Sequence, residues 1–96
     1  MSAEKRLNGH KICEALSRPL RANIFQELVR VYPRKLSVSE LQERLSEARM
    51  TLWFHLDKLR EAHLVELNGS GRGFRAAARA LTIEFNGDGI KLRTEG

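Results

Sequence analysis

Two helical segments separated by three residues constrain this chain more than any other feature. In the first segment, Ser37 and Glu40 have the spacing of a capping box, which predicts that a helix begins there. The second segment spans about residues 48–62, and its inner positions recur at helical spacing. Those inner positions are Leu52, Leu56 and Leu59. A short helix, a tight turn over residues 46–48 and a longer helix together predict a helix-turn-helix.

Two further helices are predicted ahead of this pair. The first covers about residues 10–16, and the second runs from Pro19 to about Tyr32. Apolar residues recur along the second at steps of four, four and three, namely Leu20, Ile24, Leu28 and Val31. Ser17 is expected to cap the second helix, Pro19 fits its first turn, and Pro33 ends it.

After residue 63 the apolar period changes from that of a helix to that of a strand. Residues 64–67 and 74–77 flank a basic, glycine-rich turn over 68–73, which predicts a β-hairpin. Residues 76–81 could instead continue as a helix, but the alternation around the turn at 86–89 favours a second hairpin. The predicted fold class is therefore α+β, mainly α: a winged helix-turn-helix with a β-hairpin wing, in one domain over residues 1–96, with residues 1–8 flexible.

Composition favours a polyanionic partner. The chain has 96 residues and a formal net charge of +5, and such small basic domains bind nucleic acid. A single cysteine, Cys13, cannot form an internal disulfide framework, and no apolar run could span a bilayer. We therefore expect a cytoplasmic protein with no membrane partner. The histidines and carboxylates show no catalytic pattern, so neither an enzyme nor a cofactor is expected.

Three stretches resemble the ArsR/SmtB family of winged-helix transcriptional regulators. They are ALSRPLRANIF at residues 15–25, LSVSEL at 36–41 and TLWFHLDKLREAHLV at 51–65, and the resemblance covers about two thirds of the chain, from residue 15 to about 74. The last stretch is the most specific. The resemblance implies a homodimeric repressor that binds a pseudo-palindromic operator on double-stranded DNA and releases it when an inducer binds. The inducer is unknown, and residues 80–96 are expected to contribute to dimerisation.

The chain departs from the family at its metal-binding positions. Ser37 and Ser39 stand where many members have thiolate ligands, and serine is a poor ligand for soft metals. No histidine follows His63, so the second kind of metal site in the family has no counterpart here. His10 and Cys13, three residues apart on one helix, are weak metal candidates, and a buried interface cysteine is the commoner role. No metal is therefore predicted.

The predicted DNA contacts lie on the fourth helix and on the wing. The candidate residues are Arg49, Met50, Thr51, Trp53, Phe54, His55, Lys58, Arg72 and Arg75. Arginine bonds guanine and apolar side chains contact the thymine methyl group, whereas the wing arginines suit phosphates or the minor groove. Further backbone-contact candidates are Lys35, Arg44 and Arg60, which could also be ordinary solvated charges.

Other interpretations remain open for these residues. Trp53 is expected on the outer face of the helix, but it could also pack against the third helix or the hairpin. Phe54 could pack rather than contact bases, and His55 could bond a phosphate or lie at the edge of the core. His63 replaces a usual glycine, so the helix ends either with a left-handed histidine or in another way. If Met50, Trp53 and Phe54 are exposed, they could alternatively dock another protein.

Overall fold

The computed structural model describes residues 7–67 and 73–96. The helices and strands in chain order are α1 (Gly9–Ala15), α2 (Pro19–Arg30), α3 (Val38–Leu45), α4 (Arg49–Glu61), β1 (Val65–Leu67), β2 (Phe74–Ala76), β3 (Ala80–Asn86) and β4 (Gly89–Glu95). This order confirms the winged helix-turn-helix fold class. The expected flexibility of the N-terminus concerns residues that lie almost wholly outside the described part.

The boundary between α1 and α2 differs from the prediction in one detail. Ser17 was expected to cap α2, and this is wrong: its hydroxyl donates to the Glu14 carbonyl oxygen at 2.7 Å and so completes the end of α1. The N-cap of α2 is Arg18, whose side chain makes no capping hydrogen bond. Pro19 occupies the first turn as predicted, because a helix needs no amide hydrogen there.

The capping box of α3 is confirmed. The Glu40 backbone N–H donates to the Ser37 hydroxyl at 3.1 Å, and the Ser37 N–H donates to the Glu40 carboxylate at 2.9 Å. These bonds satisfy amide groups that have no partner within the helix. Ser46, with φ 55° and ψ 45°, ends α3, and the turn delivers the chain to α4 at Arg49.

The core forms where α4 crosses α2 and α3. Its fully buried side chains come from all four helices and from the wing. The largest are Ile12, Ile24, Leu28, Leu41, Leu52, Leu56, Leu59, Leu64 and Phe74. Since the predicted inner stripes of α2 and α4 supply most of them, the helical periodicity identified the buried faces correctly.

The wing consists of β1 and β2 paired antiparallel, with Val65 opposite Ala76. A short bridge adds Leu36 to this sheet through two backbone hydrogen bonds to Phe74, each 2.9 Å long. Gly73 permits this approach, because a Cβ there would lie 2.9 Å from the Lys35 Cβ. The bridge therefore ties the wing to the segment just before α3. The predicted tip of the wing, at residues 68–72, lies outside the described residues.

The second hairpin is confirmed, and the helical alternative for residues 76–81 is wrong. β3 and β4 pair antiparallel around the predicted turn, with Ile83 opposite Leu92. Leu81, Ile83 and Leu92 pack against the core, whereas Phe85 near the turn is 70% exposed. The expected role of this hairpin in dimerisation stays a prediction. Within residues 7–67 and 73–96, no helix is long and apolar enough to cross a membrane.

Candidate nucleic-acid interface

The outer face of α4 carries two large apolar side chains in its N-terminal half. Met50 is 82% exposed and Phe54 is 55% exposed, one turn apart on the side opposite the buried leucines. Monomeric proteins rarely leave such side chains adjacent to each other in water without a reason. They therefore mark this half of the helix as a contact surface.

Arg49 begins α4 and is held against α3. One of its terminal nitrogens donates to the Ser39 hydroxyl at 3.3 Å and to the Gln42 side-chain oxygen at 3.4 Å. Both acceptors are neutral, and among the residues the structure describes no carboxylate lies within ion-pair distance of Arg49. These hydrogen bonds fix the position of the Arg49 guanidinium group but do not neutralise its charge, which suits an anionic or strongly polar partner.

The charges along α4 are unevenly distributed. Residues 49–56 contain no acidic residue, whereas Asp57 and Glu61 follow in the C-terminal half. Lys58 lies at the start of the C-terminal half, with its ammonium nitrogen 5.6 Å from the Phe54 ring centroid and 4.0 Å from the Glu61 carboxylate. A polyanion would therefore be attracted to the N-terminal half, whereas the acidic and basic residues of the C-terminal half offset each other. Thr51 is half-buried on the same half of the helix.

Trp53 does not belong to the exposed face, so that expectation was wrong. Its ring packs edge-to-face on Phe74 of the wing, with centroids 5.3 Å apart and an interplanar angle of 74°. This is the alternative in which Trp53 packs against the hairpin. Trp53 is half-buried rather than enclosed, so its contact with DNA stays a prediction. Its visible role is to fix the position of the wing relative to α4.

The orientation of His55 is set by Arg21 of α2. The Arg21 Nε–H donates to His55 Nδ1 at 3.2 Å. Because arginine is always a donor, Nδ1 must accept, and the neutral ring then carries its proton on Nε2. Burial and the nearby positive charges of Arg21 and Arg18 lower the pKa of His55. His55 is therefore a neutral side chain with one N–H left to donate.

The wing supplies fewer free charges than predicted. Arg75 pairs with Glu66 across the two strands, with contacts of 2.8 and 3.2 Å from its Nη2 and Nε nitrogens to one carboxylate oxygen. Arg72, the other predicted wing contact, lies outside the described residues. Lys35 is exposed at the base of the wing. The phosphate contacts of the wing stay predictions, and Arg75 would have to exchange Glu66 for a phosphate.

Two of the remaining DNA-contact candidates are also paired with acidic residues. Arg44 pairs with Glu27 at 3.2 Å, and Arg60 pairs with Asp57 at 3.5 Å, so both charges are partly offset.

The two weak metal candidates lie on α1, where His10 is exposed and Cys13 is half-buried. Among the described residues, no group of three or more metal-binding side chains comes together.

Arg21 is a residue of this surface that the sequence reasoning missed. It is only 7% exposed, donates to the Ala15 carbonyl oxygen at 3.2 Å, and lies 6.0 Å from the Phe54 ring centroid. The signal was present: Arg21 stands three residues before Ile24, in line with the buried stripe of α2. A charged residue at such a position is rare without a role.

One comparison with known protein families agrees with this fold. A family model described as a helix-turn-helix domain matches residues 16–68, which is more than half of the chain. The chain belongs to this helix-turn-helix family, and its fold and family are those of DNA-binding transcriptional regulators. Searches of curated proteins and of solved structures returned no match.

Proposed function

We propose that this protein is a homodimeric repressor of the ArsR/SmtB type, which binds a specific operator on double-stranded DNA. The observation that carries this proposal is the N-terminal half of α4. There Met50 and Phe54 are exposed, Arg49 has no acidic partner among the described residues, and residues 49–56 contain no carboxylate. The N-terminal residues of such a helix meet base edges in the major groove, which is about 12 Å wide.

Each exposed group has a role in this proposal. Arg49 donates to guanine, and the apolar surfaces of Met50 and Phe54 contact thymine methyl groups. The free Nε2–H of His55 and the ammonium group of Lys58 donate to phosphates, which positions the helix without specifying sequence. Asp57 lies further along α4 and limits how far the helix enters the groove.

The repressor, the dimer and the cytoplasmic location rest on the resemblance carried by residues 15–25, 36–41 and 51–65. A homodimer presents two copies of α4 to successive major grooves, which requires a pseudo-palindromic operator. Residues 80–96 contribute to the dimer interface. We propose a binding protein rather than an enzyme, in which an inducer lowers affinity for the operator.

Selection from random duplex DNA, followed by sequencing and a salt titration on the selected site, tests this proposal. The expected result is an inverted repeat with half-sites about one helical turn apart, and an affinity that falls steeply with salt. Arg49→Ala should weaken binding to that site, whereas Arg30→Ala removes the same charge from an exposed position at the end of α2, outside α4 and the dimer segment, and should change it little. Binding that ignores both salt and sequence would contradict the proposal.

A second candidate function is protein docking through α4. The exposure of Met50 and Phe54 favours it, although the packing of Trp53 on Phe74 removes the largest side chain expected in that surface. A Met50→Ala, Phe54→Ala variant that keeps full affinity for DNA but no longer binds a protein partner would support docking. The acid-free run around these residues favours DNA instead.

A further inference from the structure

The guanidinium group of Arg21 is a buried positive charge without a negative partner. Its acceptors, His55 Nδ1 and the Ala15 carbonyl oxygen, are both neutral and both 3.2 Å away. In the described part of the chain no carboxylate comes within ion-pair distance of it. Buried charges are normally paired, because removing a charge from water is costly. The site is therefore incomplete as a charge pair.

Part of this guanidinium group can be reached from outside. No fully enclosed side-chain nitrogen in the described residues lacks a hydrogen-bond partner, and Arg21 Nη2 makes no hydrogen bond. Nη2 must therefore retain access to the surface. Arg21 lines a half-open cleft of about 130 Å³ between α1, α2 and α4. The other lining residues are Lys11, Glu14 and Ala15 of α1 and Lys58, Glu61 and Ala62 of α4.

We propose that this cleft binds a small organic carboxylate. The carboxylate accepts hydrogen bonds from the remaining N–H groups of Arg21, whose planar fork matches its geometry. Lys11 and Lys58 add positive charge, and the alanine side chains contact the apolar part of the ligand. The cleft is smaller than the sites that hold drug-sized ligands, which limits the ligand to a small molecule.

The charges around the cleft favour a small molecule over a DNA phosphate. Glu14 and Glu61 also line it and offset two of its three positive charges, which leaves little attraction for a polyanion passing over its mouth. A small molecule can place its carboxylate against Arg21 while its uncharged part lies beside these glutamates.

Binding at Arg21 would act on the DNA-facing surface, and this consequence rests on the proposed function. Arg21 bonds His55 and lies over the Phe54 ring, so a carboxylate that draws the guanidinium group outward disturbs both side chains. A bound carboxylate is therefore expected to change affinity for the operator.

The first test needs no DNA. Benzoate, neutral benzamide and cationic benzylamine have similar size, and each is titrated against the full chain while the Arg21 Nε–H resonance is followed by NMR. Benzoate should give a saturable shift and the other two should not. Equal responses to benzoate and benzamide, or no response to benzoate, would overturn the proposal, whatever the protein does with DNA.

Substitutions on the exposed rim test the same site without altering the buried arginine. Lys11→Glu should weaken benzoate binding about threefold or more, and Glu14→Gln should strengthen it. Arg30→Glu makes the same charge change at an exposed position nine residues further along α2 than Arg21 and should have little effect. Equal losses for Lys11→Glu and Arg30→Glu would contradict a local site.

The same variants separate the cleft from a DNA contact. If Lys11→Glu reduces DNA affinity without benzoate far more than Arg30→Glu does, the cleft binds DNA phosphate and the proposal is wrong. If benzoate saturates the Arg21 shift but leaves operator affinity unchanged, the carboxylate site stands and its coupling to DNA is rejected.

Discussion

His55 and Arg21 form a residue pair in which one hydrogen bond decides the protonation of a DNA-facing side chain. Because Arg21 can only donate, the bond exists only while His55 Nδ1 has no proton. Protonation of His55 would break the bond and place two positive charges in contact. The pair therefore links the packing of α2 and α4 to pH.

The first prediction concerns pH and stability. The folded-state pKa of His55 is lowered from its usual 6.5, mainly by burial and then by the charge of Arg21. The unfolded chain therefore binds a proton more readily, and stability should fall as pH drops below about 6.5 towards the folded pKa. Urea unfolding at a series of pH values measures this change.

Two matched histidine substitutions test whether His55 causes this loss of stability. His55→Gln retains an acceptor for Arg21 but cannot be protonated, so it should remove the loss of stability in this window. His10→Gln alters an exposed histidine on α1 and should preserve the loss. The lowered pKa of Glu40, caused first by its hydrogen bonds with Ser37, acts only at lower pH, below about 4.5. An unchanged pH dependence in His55→Gln would refute the assigned bond.

The second prediction concerns helix α3 and compares two serines at its start. Ser37 caps the helix, whereas Ser39 is exposed and its hydroxyl accepts a hydrogen bond from Arg49. Ser37→Ala should lower the free energy of unfolding by about 1 kcal/mol, because an amide loses its partner. Ser39→Ala should leave stability within about 0.5 kcal/mol. Denaturant unfolding of both variants checks the contrast, and equal losses would contradict it.

The helices were predictable because local chemistry specifies them. The capping box at Ser37 and the leucine spacing of α4 are each complete within a few residues. The left-handed His63, with φ 62°, was one of two options that the sequence left open. The cap predicted at Ser17 shows the limit of such local reasoning. The Ser17 hydroxyl could bond α2, which follows it, or α1, which precedes it, and it donates to the end of α1.

Contacts between distant elements could not be predicted in this way. The wheel of α4 places Trp53 outward, and only the wing returning through Phe74 covers it. The bridge between Leu36 and Phe74 joins positions 38 residues apart and leaves no periodic signal. Half of the candidate site, Arg49, Met50 and Phe54, follows from the helix alone, whereas the roles of Arg21 and Trp53 depend on tertiary packing.

In the molecule as a whole, the second hairpin, formed by β3 and β4, is the part that the rest of the chain covers least. β3 and β4 form a separate two-stranded sheet, and such a hairpin is marginal unless its apolar face is covered. Leu81, Ile83 and Leu92 are partly covered by the core, but Phe85 is not. In the proposed homodimer, a second copy of this chain covers Phe85.

The third prediction follows from that arrangement. Phe85→Ser should weaken dimerisation roughly tenfold, as expected when a central aromatic contact is lost, and should leave the monomer folded. Sedimentation velocity at a series of concentrations measures the dissociation constant. Thr82→Ser, an exposed position on the opposite face of the same strand, serves as the matched control. An unchanged dissociation constant for Phe85→Ser would exclude this hairpin from the interface.

The central claim is that the N-terminal half of α4 contacts bases, and a panel of duplexes tests it most directly. Fluorescence anisotropy would give the affinity of the wild type and of Met50→Ala for the selected site and for each single base-pair change in one half-site. We expect Met50→Ala to lose about 1 kcal/mol or more of discrimination at one or two adjacent base pairs and to keep it elsewhere. An unchanged discrimination profile for Met50→Ala, and likewise for Phe54→Ala, would contradict it.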